Sequence, residues 1–252
     1  RETSHKFLPG IPVVARLDGK RFSKFTKSME KPWDPRFTEA MVETTKRLVE
    51  ETHARVGYTQ SDEISLIFLA ENPKSELWLG GRVQKMTSIL ASMATGFFND
   101  ELRTRLKTGS PAFFDCRVFQ VPSKDEAVNC LIWRESDAVR NSISMLAQHH
   151  FSHKQLHGKS TSEMQNMLME KYSINWNDVS PAWKRGTYVQ RQLFTDKVTD
   201  ELDAIKADPD LRNKSLRPLQ QLKQQVTSHI SLAHIFQAQN DARDQADIAL
   251  DE

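Results

Sequence analysis

Cysteine is nearly absent: the 252 residues include two, Cys116 and Cys130. Their spacing fits neither a metal-ligand pair nor a disulfide framework, so a reduced, cytoplasmic protein is the simplest account. Long apolar runs are missing too. None approaches the ~20 residues that cross a bilayer, and no membrane partner is expected. Charge of one sign is also lacking, since 35 Lys and Arg stand against 33 Asp and Glu for a net +2. A nucleic-acid partner must then be met by a local basic surface rather than by the field of the whole protein. No signal peptide is visible in a chain that starts at Arg1 without a methionine. What is present is a globular balance of 38% hydrophobic and 27% charged residues, in a chain long enough to bury a core in one domain, or in one domain with a helical appendage.

Two stretches carry the chemistry. Val56 to Thr59 and Ile64 to Leu69 read as β-strands, which makes Gln60-Ser61-Asp62-Glu63 the tip of a hairpin. Acids at a tip are ordinary turn residues. Beside a buried strand they are also how a palm-type nucleotide site holds magnesium, a hard ion that takes carboxylate oxygens. Ile11 to Leu17 is a further apolar strand, ending in Asp18-Gly19 and followed by Lys20, Arg21 and Lys24. The glycine lets the backbone turn sharply against a ligand, and the cations supply charge where a triphosphate would lie.

Chain order joins the two. Phe37, Met41, Thr45, Leu48 and Thr52 mark an amphipathic helix over about 34–55, and Val83, Met86, Leu90, Met93 and Phe97 mark another over about 79–106. Residues 113–121 alternate as a strand with one wet face, Asp115 and Arg117. The sum is β-α-β-β-α-β, an α+β, ferredoxin-like split unit in which the first and third strands are central antiparallel neighbours. Asp18 ends the first and Asp62 opens the third, so both should meet on one edge of the sheet. A long helix over 125–151, a short one over 161–172 and a turn at 180–186 feeding a last strand follow. The expected division is a catalytic core in 1–123, a helical extension with the last strand in 124–194, and a helical or partly disordered tail in 195–252.

Other constellations admit two readings each. Arg82, Lys85 and Ser88 share one helical face, either solvated charge or a phosphate contact. His149, His150, His153 and His157 lack a coherent zinc spacing; with Lys154 and Lys159 they form a surface loop or meet RNA phosphates. Trp183-Lys184-Arg185-Gly186 is a strand cap or an RNA contact.

Arg16-Leu17-Asp18-Gly19-x-x-Phe22, Tyr58-Thr59-Gln60-Ser61-Asp62-Glu63, Arg82-x-x-Lys85-Met86, Arg117-Val118-x-x-x-Pro122-Ser123, Trp133-Arg134-x-x-Asp137, Leu156-x-Gly158 and Lys184-Arg185-Gly186-Thr187 stand in one order over about 11–190. Together they resemble the tRNA(His) guanylyltransferase family, whose catalytic domain is similar to a polymerase palm. Where eukaryotic members read His-Ile-Asn-Asn-Leu-Tyr-Asn, this chain has Val139-Arg140-Asn141-Ser142-Ile143-Ser144-Met145, which resembles the bacterial-type branch.

That resemblance implies a nucleotidyltransferase that extends tRNA 5′ ends in the 3′-to-5′ direction, with template-directed repair favoured over obligate addition of guanylate to tRNA(His). A 5′-monophosphate end is adenylylated by ATP, and the 3′-hydroxyl of an incoming nucleotide then expels AMP. Asp18, the Gly19 carbonyl and Asp62 would hold two magnesium ions, with Glu63 a supporting acid. Lys20, Arg21, Phe22, Ser23 and Ser61 would join them in cradling ATP, GTP or another NTP. Arg82, Lys85 and Ser88 would serve activation, and Asn141, Ser142, His153, Lys154, Lys184 and Arg185 would contact RNA or triphosphate. A homotetramer, a dimer of dimers, is implied. The rival from another class is a non-catalytic RNA-recognition module of the same strand order, which stacks bases on aromatics in its central strands; the first strand here has none.

Overall fold

The computed structural model describes residues 5–70, 75–106 and 110–191; the expected tail lies outside them. Five strands form one sheet: β1 (Val13–Gly19), β2 (Val56–Gln60), β3 (Glu63–Phe68), β4 (Phe114–Gln120) and β5 (Thr187–Val189). Their order is β4-β1-β3-β2-β5, and every neighbouring pair is antiparallel. With α2 (Pro35–Thr52) and α3 (Val83–Glu101), the first four strands are the expected α+β split unit, β1 and β3 at its centre. β5 is an addition at the β2 edge.

α2 begins where Asp34 accepts the Arg36 amide at 3.0 Å ahead of Pro35, a capping side chain before a residue whose φ is preset for a helix. It stops three residues short of the expected end because His53 turns left-handed. α3 starts later than expected since Gly80 and Gly81 take positive φ, and beyond Glu101 the chain widens into a π-helical turn, Leu102–Leu106. Both helices cover one face of the sheet, where Val13, Ala15 and Leu17 join Leu48, Leu90 and Phe98 in the main core.

The other face is covered by α4 (Lys124–His150), whose Ala127 and Leu131 pack on Val14, Tyr58, Ile67 and Tyr188. α5 (His153–Leu156) and α6 (Thr161–Tyr172) build a satellite core with α4 around Leu146, Leu168 and Trp176, and α7 (Pro181–Arg185) packs on α4 beside it. The short helices α1 (Phe22–Phe25), α5 and α7 fall in stretches whose sequence reads as loop or turn. Gly186 links α7 to β5 at φ +79°, and a Cβ there would lie 2.6 Å from the Thr59 carbonyl oxygen and the Tyr58 hydroxyl. No helix among the described residues is long and apolar enough to cross a membrane.

Candidate active site

β1 and β3 run antiparallel with Asp18 opposite Glu63, so the end of one strand and the start of the other share an edge. The Gly19 amide donates to the Asp62 carbonyl at 3.1 Å, which ties that edge to the hairpin tip. The tip is narrower than expected: Ser61 and Asp62 alone connect β2 to β3. Ser61 takes a left-handed φ of 52° and its hydroxyl donates to Asp62 Oδ1 at 3.1 Å. On the β1 side Arg21 is also left-handed, at φ 59°. Such conformations are costly for non-glycine residues and persist where the surroundings over-determine them. Gly19 is required by contact, since a Cβ would fall 2.4 Å from the Phe22 ring.

Two connected cavities open at this edge. In one, Asp18, Gln60, Asp62 and Glu63 face Arg134, Asn141, Ser144 and Gln148 of α4. In the other, Gly19, Arg21, Ser23, Lys31, Asp62 and His149 surround a wider space. Next to them lies an apolar recess holding Met29, Phe37, Trp33 and Trp183 together with Gln60 and Ser61. The indoles of Trp33 and Trp183 stack there, centroids 5.2 Å apart and 12° from parallel.

The electrostatics separate the three acids. Glu63 is held by Arg134 through both carboxylate oxygens, Nε at 2.6 Å and Nη2 at 2.8 Å, with Arg16 Nε at 3.8 Å. It anchors α4 to the sheet and is not a free supporting acid, which corrects the sequence expectation. Asp18 and Asp62 have no ion-pair partner among the described residues. Burial pushes the Asp62 carboxyl up; its own backbone amide opposes this and the charge of Asp18 adds to it. Asp115 also stands directly opposite Asp18 on β4.

Asp115 pairs with Arg117 at 3.7 Å, so the charge that no protein cation neutralises among the described residues is that of Asp18 and Asp62. No group of three or more His, Cys, Asp or Glu that could hold a metal exists among them either. Two carboxylates and a backbone carbonyl nevertheless suit magnesium, which keeps several waters and is commonly held by one or two carboxylates plus substrate phosphates. The residues present fit the group.

Comparison with known proteins bears on the identity. The family model described as tRNAHis guanylyltransferase (Thg1) matches residues 1–122. An uncharacterized protein of Acanthamoeba polyphaga mimivirus is 35% identical over 223 residues, 78% of this chain and 76% of its own length. The structure of a bacterial tRNA(His) guanylyltransferase-like protein in complex with ATP is 36% identical, with a TM-score of 0.73 over 81% of this chain and 92% of that one. One in complex with GTP is 34% identical, with a TM-score of 0.64 over 77% and 81%. The chain belongs to the tRNA(His) guanylyltransferase family.

A member of the tRNA(His) guanylyltransferase family is a nucleotidyltransferase, and the reading as a non-catalytic RNA-recognition module falls. The packing agrees, because α4 covers the sheet face on which such a module would stack bases.

The residues the family resemblance implies do not all lie at these cavities. The Phe22 ring is buried among Phe37, Phe98 and Phe114, a strut under the loop, while the residue still borders the wider cavity. Lys20 lines a neighbouring groove rather than these cavities. Arg82, Lys85 and Ser88 sit at the start of α3. The Gly81 carbonyl there accepts from Phe7, and Leu8 is clipped to Gln120, which pairs with Val13. That is the far end of β1, ~17 Å from Asp18 at ~3.4 Å per residue.

Ser142 is 1% exposed, donating to the Val139 carbonyl and accepting from Trp176, so RNA cannot reach it. Lys184 donates to the Asn177 carbonyl at 2.6 Å, and Arg185 pairs with Glu135 at 3.0 Å. His153 and Lys154 are exposed on α5, outside the cavities. Asn141 does face the acids, and sequence reasoning missed its neighbours Ser144 and Gln148, legible only as a polar i, i+3, i+7 stripe on α4. It also missed Lys31 and the paired indoles.

Proposed function

We propose that this protein adds nucleotides to the 5′ end of tRNA in the 3′-to-5′ direction, repairing shortened ends under direction of the opposite strand. The observation that carries the reading is the convergence of Asp18 and Asp62, uncompensated by any described cation, beside a cavity with Arg21, Ser23 and Lys31 on its wall. The structures of bacterial tRNA(His) guanylyltransferase-like proteins in complex with ATP and with GTP support nucleoside triphosphates as the substrates of this cavity. Cytoplasmic location follows from the same reading together with the two free cysteines.

Asp18, the Gly19 carbonyl and Asp62 are the residues that would hold two magnesium ions, which supply charge neutralisation at the attacking and leaving oxygens of phosphoryl transfer. Arg21, Ser23 and Lys31 bind the polyphosphate tail. Asn141, Ser144 and Gln148 form a neutral hydrogen-bonding wall opposite the acids and orient what lies between. The apolar recess of Trp33 and Trp183 receives a base and sheds water.

With a 5′-monophosphate end, a phosphate oxygen of the RNA attacks the α-phosphorus of ATP, and pyrophosphate leaves. The 3′-hydroxyl of the incoming nucleotide then attacks the activated 5′ phosphorus; AMP departs and the hydroxyl proton is lost. A 5′-triphosphate end needs no activation. Arg82, Lys85 and Ser88, remote from the acids of their own chain, would serve activation from a second copy, and the assembly that brings copies together would be a tetramer, a dimer of dimers, as the family resemblance implies.

The deciding experiment supplies magnesium, ATP and all four NTPs with a tRNA lacking its first 5′ nucleotide, varies the base opposite the gap and sequences the product. Addition that follows the opposing base is expected. Guanylate added whatever the template would instead assign tRNA(His) maturation. In the same assay Asp62→Ala is expected to abolish addition with the fold intact, because it removes transition-state stabilisation and no core packing; near wild-type activity would sink the metal assignment.

A further inference from the structure

We propose that the groove adjoining the catalytic cavity receives the unpaired RNA strand that overhangs the 5′ end, the strand that templates addition; this rests on the activity proposed for the cavity. The groove is rimmed by Lys20, Arg21 and Lys24 and floored by Phe25, Met29 and Pro111, with Arg36 of α2 at its border and no carboxylate in its lining. Arg36 is already committed to Asp34, Nη2 to Oδ2 at 2.7 Å. Lys20, Arg21 and Lys24 have no ion-pair partner among the described residues.

Three uncompensated cations around one concavity repel each other, and a polyanion relieves that repulsion while releasing its own counterions. The apolar floor selects among polyanions. A basic rim over an apolar floor is the make-up of a single-strand channel, backbone on the cations and bases against the floor, whereas free pyrophosphate has nothing to place on Phe25 or Met29.

Position supplies the second argument. Arg21 borders both this groove and the catalytic cavity, and it does so in the left-handed conformation, φ 59°, that a non-glycine residue holds only under constraint. A strand whose first unpaired base stands opposite the incoming nucleotide therefore continues past Arg21 into the groove. Met29 lines the groove and the apolar recess alike, so the two base-contacting surfaces are contiguous.

The test compares two 5′-triphosphate RNA hairpins, both lacking the first 5′ nucleotide, one with a single unpaired template nucleotide and one with a longer overhang. Wild-type protein is expected to show the lower KM on the longer overhang. The double substitution Lys20→Ala/Lys24→Ala is expected to erase that advantage, raising KM on the longer overhang about tenfold and lowering its salt slope by about 2, one unit for each phosphate that a lysine no longer neutralises. KM for the nucleoside triphosphate should shift far less than KM for the overhang.

Addition by the wild type with no overhang effect overturns this assignment alone. So does a double variant that raises the nucleotide KM while keeping the overhang advantage, since the groove would then hold a second nucleotide. Wild-type protein that adds nothing to either RNA overturns the proposed activity and this assignment with it.

Discussion

Asp18 and Asp62 stand together without a cation among the described residues, so this edge is strained by like charge that a divalent ion would relieve. Asp62→Asn should accordingly raise the melting temperature of metal-free protein by a few degrees, corresponding to about 1 kcal/mol, and abolish the further rise that magnesium gives the wild type. A thermal-shift series with and without magnesium measures both, and equal magnesium shifts in the two proteins would remove Asp62 from the ligand set. Glu63 behaves oppositely. Its pair with Arg134 is largely buried, at 12% and 15% side-chain exposure, and breaking such a pair from one side costs ~3–5 kcal/mol. Glu63→Gln and Arg134→Gln should each destabilise strongly, and the double variant by less than their sum, with a coupling of ~1–3 kcal/mol in urea unfolding. Sequence could not tell these acids apart: Glu63 is next to Asp62 in the chain, while the guanidinium that neutralises it comes from Arg134, 71 residues away.

Among the elements, α2 rests on Asp34. This buried carboxylate accepts from the Arg36 side chain and from the amides of Glu30 and Arg36, and the Arg36 hydrogen bond, against the cost of burial, holds its pKa below the usual value. A lowered folded-state pKa means stability that is present above the unfolded value and lost as pH falls through the folded one. Asp34→Ala should cost ~1–2 kcal/mol at neutral pH; that deficit should shrink below about pH 4, and a deficit constant down to strong acid would contradict the linkage. Gly186, buried where α7 meets β5, is the other point of dependence. Gly186→Ala is expected to lever β5 off β2 and destabilise by ~2 kcal/mol or more, read by denaturant midpoint. Periodicity located α2, α3, β4 and α4 because each buries a regular stripe. It overran α2 and α3, whose ends are set by left-handed residues at His53, Gly80 and Gly81, and it missed α1, α5 and α7, which are too short to show a period.

At the scale of the molecule, the sheet order was legible because one topology rule converts strand sequence into adjacency, and that alone brought Asp18 and Asp62 together. The partners of Ser142 and Arg185 were not, since Trp176 and Glu135 reach them from 34 and 50 residues away across packing that no local pattern records. The β4-β1-β3-β2-β5 sheet has helices on both faces and its acids at one end, so on the proposed function substrate would approach from that end. Binding there is charge against charge, and raising salt should weaken RNA binding more steeply than nucleotide addition once bound; a kcat that falls with salt as fast as affinity would contradict a docking role for the basic rim.

The parallel indoles of Trp33 and Trp183 have a consequence of another kind. Two aromatic chromophores at 5.2 Å and 12° are close enough to couple, so this pair should dominate the near-ultraviolet circular dichroism of the protein. Because they line the recess beside Gln60 and Ser61, a base entering that space, as the proposed function expects, should change the signal and give an optical gauge of occupancy, silenced by Trp33→Phe.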